Sequence, residues 1–120
     1  MDAVEYFVTG DAVRAKATVV QALEARKFKL SWMGEWDGVA ERGSKVANAL
    51  AGAFAQYFKV GVTIRSGANG TAVIRLDKSS KGYMGGVVGA SRTSKNFDAL
   101  HADLDATFRS AGVLVGGQLY

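Results

Sequence analysis

The chain has no cysteine, no proline and a single histidine, His101, among its 120 residues. Without cysteine there are no disulfides, no thiolate nucleophile and no Cys-ligated zinc or iron–sulfur centre. One histidine excludes a His-rich metal site, so neither metal nor cofactor is expected. Average usage would place about six prolines in such a chain. Turns must therefore fall to Gly, Asn, Asp and Ser, and the fifteen glycines suit that role. Long apolar runs are lacking too. The best membrane candidate, 46–64, contains Asn48, Gln56 and Lys59 and shifts from a helical to a strand period midway. A central Lys costs about 2.5–3.5 kcal/mol on insertion scales. The first residues, MDAVEYFVTGD, have neither the basic nor the apolar region of a signal peptide. These features predict a soluble, cytoplasmic protein with no membrane partner.

What is present is an ordinary globular composition, 48% hydrophobic and 22% charged, at the usual length of one domain. A single domain over 1–120 is expected. The net charge of +4 is not spread evenly. Of 15 basic and 11 acidic residues, Arg75, Lys78, Lys81, Arg92, Lys95 and Asp77 fall between positions 75 and 95, leaving ten of each sign elsewhere. One glycine-rich segment carries the whole excess.

Apolar spacing predicts the elements. Strands are expected at 4–9, 28–32, 39–43, 56–65 and 71–78, with a last one from 113 that reaches toward Tyr120. Asp11 caps a helix over 12–27, with Ala12, Val13, Ala17, Val19, Val20 and Leu23 on its apolar side and Ala22 opposite. Ser44 caps a short Ala-rich helix over 45–54. Ser94 caps a long helix that carries Phe97, Leu100, His101, Leu104 and Phe108 inward and stops at Gly112. Asn69-Gly70 marks a hairpin turn. The order β-α-β-β-(short α)-β-β-α-β points to an α+β two-layer sandwich, a mainly antiparallel sheet with both long helices on one face.

Four features are candidates for function. The first is the loop 78–92, glycine-rich and basic, lying between a strand and a helix. Backbone N–H groups in that setting hold anions, with Lys81, Gly85, Gly86, Gly89, Ser91 and Arg92 as the candidate contacts. It matches neither the P-loop nor the dinucleotide fingerprint, and a plain connection explains it as well. The second is the sheet face turned away from the helices, where Lys29, Tyr57, Lys59, Arg65 and Arg75 resemble a platform for single-stranded nucleic acid. Glu5 and Asp77 share that face and argue for simple solvation. The third is Trp36, in the turn Gly34-Glu35-Trp36-Asp37-Gly38, a candidate partner contact because no core is evident for it to fill. The fourth is an apolar cavity among Trp32, Trp36, Phe54, Phe97 and Phe108.

Catalysis has thin support. His101 has Asp98 and Asp105 within a helical turn, but no nucleophile motif accompanies it. The sequence thus predicts a non-enzymatic binding module whose partner is a protein, including a second copy of itself. An anionic partner, nucleic acid or a phosphorylated ligand, is the alternative, and an apolar small molecule held between sheet and helix is the third.

Overall fold

The computed structural model describes residues 2–42, 58–78 and 90–120. Six strands and two helices lie among them: β1 (Ala3–Thr9), α1 (Ala12–Ala25), β2 (Lys29–Trp32), β3 (Asp37–Arg42), β4 (Phe58–Ser66), β5 (Thr71–Asp77), α2 (Ala90–Ser110) and β6 (Leu114–Leu119). The short helix expected at 45–54, and Tyr57, fall outside the described residues. So do Lys81, Gly85, Gly86 and Gly89.

The strands form one antiparallel sheet in the order β2-β3-β4-β5-β1-β6. Its register follows the apolar alternation. Val4, Tyr6 and Val8 stand beside Leu76, Ile74 and Ala72, which in turn neighbour Val62 and Ile64. Strand pairing keeps side chains of opposed residues on one face, so these rows form one apolar surface. They share a single core with Ala15, Val19 and Leu23 of α1 and Phe97, Leu100, Leu104 and Phe108 of α2.

Chain punctuation accounts for the element ends. The Asp11 carboxylate accepts the Arg14 N–H at 2.8 Å and caps α1. Asn69 and Gly70 both take positive φ at the centre of the turn that the Thr71 N–H closes onto Ala68 C=O, as a type I′ turn requires. At the end of α2, the Gly112 N–H donates to Arg109 C=O and the Val113 N–H to Phe108 C=O, with Gly112 at φ +74°. This is the Schellman arrangement, which closes the free carbonyls of the last turn.

Two expectations are corrected. The buried stripe of α1 is Ala12, Ala15, Val19, Ala22 and Leu23, while Val13 is 66% exposed. The bulkier Val13 lies outside the buried stripe, and the smaller Ala15 and Ala22 lie within it. Alanines at three- and four-residue steps are what let the helix lie close to the sheet. The second concerns α2, which begins at Ala90, so Ser94 lies inside it and Ser91 and Arg92 lie in its first turn rather than in the loop. No glycine follows Gly89 until the helix ends, and nothing in between breaks it.

Candidate functional site

The sheet face away from the helices is organised around Glu5. Its side chain is almost fully buried, with Arg65 Nη1 at 2.8 Å, Arg75 Nη1 at 3.3 Å and the Tyr120 hydroxyl donating at 2.7 Å. Arg75 also reaches Asp77 at 3.2 Å, and its guanidinium stacks 4.8 Å from the centre of the Tyr120 ring. The register explains this gathering. Glu5 stands opposite Arg75 on β5 and Gln118 on β6, and Arg65 sits diagonally across on β4. The Arg65 hydrogen bond outweighs the cost of burial, and with Tyr120 and Arg75 it holds the Glu5 carboxyl at about 2. The same carboxylate, accepting its hydrogen bond, pushes the Tyr120 phenol up.

This cluster brings together Arg65 and Arg75, two of the expected sheet-face cations, but turns them inward onto a carboxylate. Lys29 and Lys59 lie elsewhere on the face, on either side of Glu41 in adjacent strands. The cations are thus interleaved with acids and do not form a continuous basic track.

The helix side of β1 holds a second polar group. Tyr6 is buried, and its hydroxyl is hydrogen-bonded to His101 Nδ1 at 2.9 Å, with Phe108 edge-on at 5.1 Å between ring centres. Burial pushes the Tyr6 phenol up, and the charge of Asp105 adds to that. His101 therefore takes a tyrosine across the sheet–helix interface as its partner. Asp105 instead accepts from Arg109 Nε at 2.8 Å. A cavity of about 190 Å³ opens here, lined among others by Tyr6, His101, Asp105, Arg109, Gly117 and Leu119. It is smaller than the roughly 300–1,000 Å³ of drug-sized sites. Of the residues expected to line an apolar cavity, Phe97 and Phe108 are fully buried members of the core, and Phe54 lies outside the described residues.

Trp36 does find a core to fill. Together with Trp32 it is partly buried and packs against the main cluster. Its turn is held by the Met33 and Gly34 N–H groups donating to Asp37 C=O, and by the Ile64 N–H donating to Trp36 C=O at 2.9 Å.

The apolar surface that stays open lies instead at one end of the sheet. Among the described strands β6 lies at an edge of the sheet, and Val115, Leu119 and Tyr120 are 60%, 58% and 47% exposed. Only Val13 and Met33 are comparable among the described residues. β6 contains no charged residue. Neither this edge nor the Tyr6–His101 pair is legible in the sequence. Strand order cannot be read from local pattern, and the only sequence signal was an uncharged final strand.

The fold and its surfaces define an α+β protein with an all-antiparallel six-stranded sheet. No protein-family model and no curated protein matches the chain. Among the described residues no group of three or more His, Asp or Glu side chains is placed to hold a metal, and no helix is long and apolar enough to cross a membrane.

Proposed function

We propose that this protein is a non-enzymatic interaction module that self-associates through β6. In the two-layer sandwich we read here, two helices cover one sheet face and the Glu5 cluster neutralises the centre of the other. Among the described residues, the edges are then the surfaces left for association. The carrying observation is that β6, an edge strand among the described residues, is uncharged, exposes its own Val115 and Leu119, and is followed by exposed Tyr120. Natural edge strands are normally blunted by charge, shortness or proline. The opposite edge, β2, has four residues and carries the exposed Lys29.

A second copy suits β6 for a symmetry reason. Antiparallel pairing about a two-fold axis sets a strand against itself, so any charge near the axis would meet its like. β6 has none. An axis through Gly117 places Val115 opposite Leu119 of the second copy and Gly116 opposite Gln118. One added strand pair buries less than the roughly 1,200 Å² of a standard stable interface, so the association is expected to be in the micromolar range or weaker.

Sedimentation velocity from about 10 μM to 1 mM tests this. A concentration-dependent dimer is expected for the wild type and a monomer for V115K/L119K, whose unchanged circular dichroism would show that the fold survives. A wild-type monomer throughout that range overturns the reading.

A further inference from the structure

The turn between β2 and β3 holds a positive charge in a way that the β6 reading leaves unused. Lys16 of α1 places its Nζ 4.2 Å from the centre of the Trp32 ring and 5.4 Å from that of Trp36. The same ammonium donates to the backbone carbonyl of Glu35. Two indole rings and a carbonyl oxygen thus converge on one cation, and each attracts it independently. Glu35 and Asp37, both exposed, add negative potential at the rim.

The surrounding backbone builds this arrangement in advance. Trp32 lies across Gly38, where a Cβ would come within 2.7 Å of its Cε3 atom, so only glycine leaves the ring that position. The hydrogen bonds that close the turn at Asp37 and anchor Trp36 C=O to β4 hold the backbone that carries the second ring, which packs against the core. By contrast, the occupant is a flexible four-carbon stem on a surface helix. An ammonium is strongly hydrated and regains water whenever it swings away.

We propose that Trp32, Trp36 and the Glu35 carbonyl form a binding site for an alkylammonium group, with Lys16 as its resident competitor. The carbonyl acceptor favours a cation that keeps N–H donors, a primary amine or an unmodified lysine side chain, over a quaternary ammonium that has none. A ligand meets the site at an affinity reduced by the fraction of time Lys16 fills it. Removing the Lys16 charge therefore unmasks the site. This site lies at the β2 end of the sheet, opposite β6, and does not depend on self-association.

The test follows the two indole N–H signals by NMR in the wild type and in K16M, which keeps an unbranched apolar stem. Each is titrated with butylammonium, with tetramethylammonium, and with a short peptide carrying one central lysine or norleucine in its place. K16M is expected to bind butylammonium about tenfold more tightly than the wild type. Tetramethylammonium should bind more weakly, and W36L in the K16M background should abolish the response. A response to butylammonium but not to the lysine peptide assigns the site to small amines. A response to the lysine but not the norleucine peptide assigns it to protein side chains. Indole signals in K16M that stay unmoved by butylammonium and by the lysine peptide, with the remaining spectrum intact, overturn the proposal. Equal binding of butylammonium and tetramethylammonium likewise overturns the role of the carbonyl.

Discussion

Glu5 shows how one residue can set the character of a whole surface. A carboxylate buried in a strand is tolerable only when its charge is met, and here two guanidinium groups and a phenol meet it. Its folded pKa of about 2 lies below the unfolded value of 4.5. The stabilisation is therefore complete above pH 4.5 and is lost as pH falls from there through about 2. E5Q should cost on the order of 2 kcal/mol at pH 7, because it strips Arg65 of its carboxylate partner and leaves Arg75 with Asp77 alone. Urea denaturation at pH 7, 4 and 2.5 should show the wild type losing stability as the variant changes little. Lys27 offers a change of opposite sign. It ends α1 at φ +70°, a conformation that costs an L-residue about 1–2 kcal/mol and glycine almost nothing. After the extra backbone entropy of glycine, K27G should stabilise by about 0.5 kcal/mol, read from the urea midpoint. Glu5 was visible in the sequence as a charge within an apolar alternation. Its partners were not, because Arg65, Arg75 and Tyr120 meet it only through the strand register.

At the scale of elements, periodicity locates every described strand and both helices, and several of the ends are legible from a cap or turn residue. Asp11, Asn69-Gly70 and Gly112 act where their chemistry predicts. α2 starts before Ser94, a good cap by type, because the residues ahead of it continue the helix without a break. The buried face of α1 departs from its apolar spacing because alanine carries almost no periodic signal, and the sheet, not the helix, selects which alanines it buries. β6 is an element whose importance lies wholly in its neighbours. Gly117 belongs there because a Cβ would sit 2.9 Å from the Glu5 carbonyl oxygen. G117A should therefore loosen the β1–β6 pairing and cost about 1–3 kcal/mol, measured by equilibrium denaturation.

For the whole molecule, association and stability are linked. Binding that favours the folded state raises the melting temperature with protein concentration. Wild-type melting should therefore move upward across a hundredfold concentration series, while V115K/L119K melting stays fixed. The sequence by itself determined the α+β class, the antiparallel pairing implied by its hairpins, and the core-facing positions of its strands. These follow from local chemistry, from apolar spacing and from residues that cap or turn the chain. Only the tertiary structure decided that Arg65 and Arg75 point onto a buried carboxylate, that Trp36 packs beside Trp32 around Lys16, and that an uncharged strand lies at the sheet edge. The first and third depend on strand order and register, and the second on how α1 packs beside the β2–β3 turn, all of which are set by contacts between residues far apart in the chain.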